Sequence, residues 1–186
     1  DRLICILTKD NRWTYLPLHV DGEILFITTP LGLLIDNRNS HYIWSGKCRA
    51  GAGIVLWDNN GTLEDNADDR VFFRSDYVDQ DDNAIIFEQI FAFCQTRDGS
   101  LWVGCNTGLF IIPSAEEFRV SNRCLRIRIP NADGYILNDG NVNAILEKAD
   151  GTICVGTADL GVYVLSGDGS TLIDHYTMDN SSMPSN

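Results

Sequence analysis

The residues of this chain that could do chemistry are few and dispersed. His19, His41 and His175 are far apart, and no Gly-x-Ser-x-Gly elbow or Ser/His/Asp constellation accompanies them. The acidic stretch from Asp76 to Asp82 suggests calcium but fails the EF-hand template. With Asp79 at position one, Ala84 stands where the turn glycine is required and Ile90 where the bidentate glutamate is required. It reads as a solvated loop. Gly46-Lys47-Cys48 is no phosphate-binding loop, because His41 replaces the upstream glycine and no Ser or Thr follows the lysine. Carboxylate pairs for glycoside hydrolysis need only meet in space, so the 26 acidic residues single out no pair. Six cysteines (Cys5, Cys48, Cys94, Cys105, Cys124, Cys154) form no CxxC motif. They read as small buried apolar side chains, with disulfides as the alternative. No metal, no cofactor and no catalytic residue is expected.

The bulk numbers narrow the partners. A net charge of −12 argues against nucleic acid and anionic membrane surfaces, which would repel the chain. Neutral ligands such as sugars remain open. No apolar run approaches the roughly 18–20 residues that span a bilayer, and no basic-then-apolar leader pattern opens the sequence. With 186 residues, 44% apolar and 22% charged, the chain can bury a core.

The elements are short and β-like. Runs rich in Ile, Val, Phe, Trp and Thr alternate with turn signals at Asp21-Gly22, Asn60-Gly61, Asp98-Gly99, Asp133-Gly134 and Asp150-Gly151. One phrase recurs. Asp98-Gly99-Ser100-Leu101-Trp102-Val103-Gly104 aligns with Asp150-Gly151-Thr152-Ile153-Cys154-Val155-Gly156 at an offset of 150 − 98 = 52 residues. Tyr42–Gly46 and Gly53–Trp57 form a degraded copy, with Gly46 lying 104 − 46 = 58 residues before Gly104. Propeller blades take about 40–50 residues, so these units carry extra loop in 59–80 and 113–141. Trp44 and Trp102 are expected in the core between units. Each Asp before Gly is expected to cap its own turn.

The pattern (Val/Ile)-x-x-Ile-x-x-x-x-Asp-Gly-x-(Leu/Ile)-Trp-Val-Gly-Thr-x-x-Gly resembles the two-component regulator propeller repeat. The nearest matches are Val142–Val162 and Ile90–Leu109, with Asn138–Ile145 similar to the usual lead-in. Ser45, Lys47, Cys105 and Cys154 depart from the pattern. The resemblance implies an all-β fold of four-stranded antiparallel β-propeller blades, an incomplete ring of about 3–4 blades. The units are expected at 33–83, 84–137 and 138–178, with 1–32 ending an earlier blade and 179–186 starting the next.

It further implies the periplasmic sensor region of a Bacteroides-type hybrid two-component system. Such a region is the extracytoplasmic part of an inner-membrane protein, homodimeric in the parent, with further blades and a downstream histidine kinase. The expected ligand is an oligosaccharide or other small molecule, with no enzymatic turnover in this part. A stand-alone propeller lyase or hydrolase, or a protein-interaction scaffold, is the alternative. Sugar sites need an aromatic platform and convergent hydrogen bonders. The exposed loop candidates are Trp13, Tyr15, Tyr77, Arg97 and Tyr135.

Overall fold

The computed structural model describes residues 4–7, 9–16, 19–20, 23–24, 30–48, 51–63 and 67–185. The expected Asp21-Gly22 turn and the His19 side chain lie outside what is described. The chain divides into two compact units, 1–75 and 76–186.

In the first unit, β1 (Ile4–Leu7) pairs antiparallel with β2 (Trp13–Leu16), and β3 (His19–Val20) with β4 (Glu23–Ile24). The main sheet is β5 (Pro30–Ile35), β6 (Tyr42–Lys47), β7 (Gly53–Asp58) and β8 (Arg70–Arg74), paired in chain order. Its middle strands are apolar almost throughout, and Trp44, Ile54, Leu56 and Trp57 are fully buried. The sheet begins at Pro30, ahead of Leu33, and stops at Arg74.

Residues from Asp76 onward belong to the second unit. There β9 (Tyr77–Val78) and β10 (Ala84–Ile85) form a small hairpin. Two four-stranded sheets follow. One is β11 (Ile90–Gln95), β12 (Leu101–Cys105), β13 (Gly108–Ile112) and β14 (Leu125–Arg126), with helix α1 (Ala115–Val120) in its last connection. After the hairpin of β15 (Pro130–Asn131) and β16 (Gly134–Tyr135) comes the other: β17 (Val142–Glu147), β18 (Ile153–Thr157), β19 (Val162–Leu165) and β20 (Leu172–Tyr176). Both are antiparallel meanders, as short strands with tight turns dictate. The helix was not foreseen in the 113–141 loop. Ser114 caps it, its side chain accepting from the Glu117 N–H, and Phe118 anchors it in the core.

The sequence repeat becomes a structural one. In both sheets the innermost pair slips register at the same place, between Ile90 and Ala92 and between Val142 and Ala144, opposite the repeat glycines Gly104 and Gly156. A Cβ on Gly104 would lie 2.5 Å from the Val142 carbonyl oxygen, so the bare glycine lets β17 approach β12 closely. The two sheets pack face to face through Trp102, Leu109 and Ile111 on one side and Val142, Ile153, Val155, Tyr163 and Leu165 on the other. Trp102 thus sits in the inter-sheet core, as its alternation predicts.

The Asp-Gly turns also have one construction. Asp98 Oδ1 accepts from the Thr96 hydroxyl (2.6 Å), the Ser100 N–H (2.9 Å) and the Ser100 hydroxyl (2.8 Å). Asp150 Oδ1 accepts from the Thr152 N–H and hydroxyl at 3.0 and 2.7 Å. Asp168 repeats the arrangement with Ser166 and Ser170, now in the turn between the third and fourth strands of its sheet. The carboxylates therefore cap their turns. Two core tryptophans are tied to polar side chains near strand ends: the Trp44 indole donates to Asp36 Oδ2 at 2.8 Å, and the Trp102 indole donates to the Ser100 hydroxyl at 3.2 Å.

Candidate functional site

In a four-stranded meander, connections one and three fall at one end and connection two at the other, with the link to the next sheet. At this second end of the β11–β14 sheet, polar groups converge. Asp79, in the β9–β10 turn, is buried to 5% exposure. Its Oδ1 accepts from the Asp81 and Asn83 N–H groups, both at 2.9 Å. Its Oδ2 accepts from the Arg128 guanidinium at 2.8 Å, and the same guanidinium nitrogen donates to the exposed Asp81 at 2.6 Å. Desolvation pushes the Asp79 carboxyl up. The Asn83 and Asp81 N–H groups and Arg128 outweigh it and hold the pKa at about 2. The acidic stretch is thus not simply a solvated loop. Asp79 needed Arg128, far along the chain, to be buried in charged form.

The Arg128 guanidinium lies over the Tyr135 ring, 5.1 Å from its centroid. Tyr135 is 43% exposed on β16. An exposed ring with a guanidinium and a carboxylate beside it can stack a sugar ring and bond its hydroxyls. Supporting residues surround it. The Gln80 side-chain amide accepts from the Arg126 N–H at 2.9 Å and donates to the Arg126 carbonyl at 3.0 Å, acting as a strand partner for β14. Arg126 reaches the Thr107 carbonyl at 2.7 Å. Asn106 Oδ1 accepts from the Glu88 and Gln89 N–H groups and fixes the approach to β11.

The sequence candidates are distributed differently. Tyr135 alone among them joins this cluster. Tyr77 is not an exposed loop residue: it is buried in β9 against Phe110, with ring centroids 4.9 Å apart. Arg97 is exposed but works between sheets. Its guanidinium donates to the Lys148 and Ala149 carbonyls at 2.8 and 3.1 Å, and its N–H donates to Glu147 at 2.9 Å. Trp13 and Tyr15 are exposed, two apart on β2 of the first unit, and so share one face of that strand. Asp79, Gln80, Asp81 and Arg128 were missed, since the turn that holds the acids and the amide lies more than 40 residues from the strand end and arginine it meets. Among the described residues, no group of three or more His, Cys, Asp or Glu side chains converges as a metal site would require.

Fold and repeat together define the class: an all-β chain built of four-stranded antiparallel β-propeller blades. Residues 84–107 match the two-component regulator propeller family. Two solved structures are similar. One is PorZ, described as an essential bacterial surface component of the type-IX secretion system of Porphyromonas gingivalis. It is 21% identical with a TM-score of 0.78, over 95% of this chain and 24% of that one. The other is the extracellular domain of the putative one-component system BT4673 from B. thetaiotaomicron. It is 13% identical with a TM-score of 0.53, over 95% of this chain and 25% of that one. This chain therefore spans about a quarter of the length of either. No curated protein matches the chain significantly.

Proposed function

We propose that this chain is part of an extracytoplasmic sensor propeller that binds an oligosaccharide and passes the signal to a histidine kinase in a periplasmic, homodimeric parent protein. The observation that carries the reading is the two-component regulator propeller match at 84–107, set in blades similar to those of the extracellular domain of a putative one-component system. The Tyr135, Arg128 and Asp81 cluster supplies the ring face and hydrogen-bonding groups that a saccharide requires. Binding, without turnover, would shift the assembly only through different affinity for its two states. The test is calorimetry of the intact protein against an oligosaccharide panel, followed by product analysis and by kinase autophosphorylation with the best binder. Saturable binding of an unaltered sugar that changes phosphorylation supports the proposal. A sugar cleaved on incubation would instead make the protein a lyase or hydrolase.

A second reading has its own support. The higher structural similarity is to a surface component of a secretion system, which favours an interaction scaffold. That reading predicts no response to any sugar, and stoichiometric cross-linking to a defined membrane or surface complex in cells.

A further inference from the structure

Three arginines adjoin the β9–β10 turn, and the acids of that turn answer only two of them. Asp79 and Asp81 pair with Arg128, and Asp82 pairs with Arg123. Among the described residues, no carboxylate lies within ion-pair distance of Arg126. Its guanidinium donates to the Thr107 carbonyl at 2.7 Å, which leaves most of its N–H donors for another partner. We infer that the saccharide bound at this end of the sheet is acidic, carrying a uronic-acid unit whose carboxylate pairs with Arg126. The inference rests on the saccharide reading and names the sugar class taken by that same cluster.

Strand pairing puts Arg126 where its charge is costly. It lies opposite Phe110 across β13 and β14, and cross-strand partners share a sheet face. That face carries an aromatic cluster, with the Tyr77 and Phe87 ring centroids 4.9 and 5.6 Å from that of Phe110. Arg126 is partly buried there, and desolvation lowers its pKa despite the Asp79 charge nearby. A guanidinium keeps its proton at any physiological pH, so the charge persists and calls for an anion. Asp79 is not that anion. Its Oδ1 accepts the two turn N–H groups and its Oδ2 accepts Arg128.

The surroundings hold Arg126 rigidly. Gln80 bonds both of its backbone groups, at 2.9 and 3.0 Å. Thr107, which receives the guanidinium, is itself tied down, its hydroxyl donating to the Ile86 carbonyl at 2.8 Å. A guanidinium anchored at one nitrogen presents its remaining N–H groups as a fixed fork, the shape a carboxylate matches. Arg126 lies within electrostatic reach of Arg128, and Arg128 covers the Tyr135 ring. An oligosaccharide with one ring on Tyr135 brings a carboxylate of that ring or the next to Arg126. The net charge of −12 disfavours anions at long range, but salt screens it, and the nearest acids are neutralised by Arg123 and Arg128. A neutral sugar leaves the Arg126 charge unanswered, whereas a uronate answers it.

The test is calorimetry of the intact protein with oligogalacturonate, oligomannuronate and hyaluronan fragments. Each is offered as free acid and as methyl ester, beside neutral xylo-, cello- and malto-oligosaccharides. The ester keeps the sugar and removes the charge. A free acid should bind saturably, with its ester about tenfold weaker or worse. Arg126→Gln should weaken the acid about tenfold and leave the ester's affinity in place. Because Arg126 also holds Thr107, a second variant is needed: Arg126→Lys keeps the charge but loses the fork, and should fall between the native protein and Arg126→Gln. Equal affinity for acid and ester, native affinity for the acid in Arg126→Gln, or saturable binding of neutral oligosaccharides alone would overturn the inference and leave the saccharide reading standing. Binding of no saccharide, acidic or neutral, would overturn both.

Discussion

Asp79 and Arg128 meet at 2.8 Å, and their meeting fixes the β9–β10 turn to the outer edge of the β11–β14 sheet. Asp79 is nearly buried, whereas Arg128 is partly open to solvent and has Asp81 as a second partner. Asp79→Ala should therefore cost about 2 kcal/mol, mostly from the two turn N–H groups it leaves without an acceptor. Arg128→Ala should cost less, and the double variant less than the sum. Urea unfolding of the four proteins in a double-mutant cycle reads the coupling.

The same carboxylate makes stability pH-dependent. Its folded pKa, about 2, lies below its ordinary value of 3.8. The stabilisation is therefore fully present above about pH 4 and is lost as pH falls toward 2. The stability gap between the native protein and Asp79→Asn should be constant from pH 7 to pH 5 and shrink steadily below pH 4. A gap unchanged at pH 3 would show that Asp79 is not charged by these partners.

The repeat glycines differ in what a side chain would meet. A Cβ on Gly108 would lie 2.2 Å from the Leu137 carbonyl oxygen, and one on Gly161 would lie 2.1 Å from the Tyr176 carbonyl oxygen; both have left-handed φ, +102° and +80°. Gly151 has φ +86° but open space around it. Gly151→Ala should cost only the left-handed strain, about 1 kcal/mol. Gly108→Ala and Gly161→Ala must also displace the backbone of a neighbouring segment, and should cost about 3 kcal/mol or prevent folding. Denaturation midpoints of the three variants give the order.

Arg97 forks onto two carbonyls of the neighbouring sheet's first turn, a geometry that a single ammonium cannot reproduce. Arg97→Lys should then lose nearly as much as Arg97→Ala, about 1 kcal/mol given the exposure of the side chain. Full rescue by lysine, read from melting temperatures, would reduce the contact to simple charge attraction.

Tyr135 packs under Arg128 yet remains exposed, so Tyr135→Ala should leave the melting temperature within about 1–2 °C. On the saccharide reading it should lower affinity for the best-binding oligosaccharide about tenfold, since it removes the stacking face. Unchanged affinity would move the saccharide site elsewhere.

The strands, the capped Asp-Gly turns, the core place of Trp102 and the repeat itself were legible in the sequence. These features depend on neighbours within a few residues: alternation sets a side chain's face, and glycine sets the turn. The fate of individual polar and aromatic residues was not legible. Tyr77 resembles Tyr135 in local context, yet one is buried on Phe110 and the other faces solvent under Arg128. Asp79 resembles its acidic neighbours, yet it alone is buried and ion-paired across 49 residues. Arg97 looked like a binding residue and ties two sheets together across about 50 residues. Local sequence thus determined the blades. Only the packing of distant segments decided which side chains bind the protein to itself and which remain for a ligand, because burial and charge pairing are properties of both partners at once.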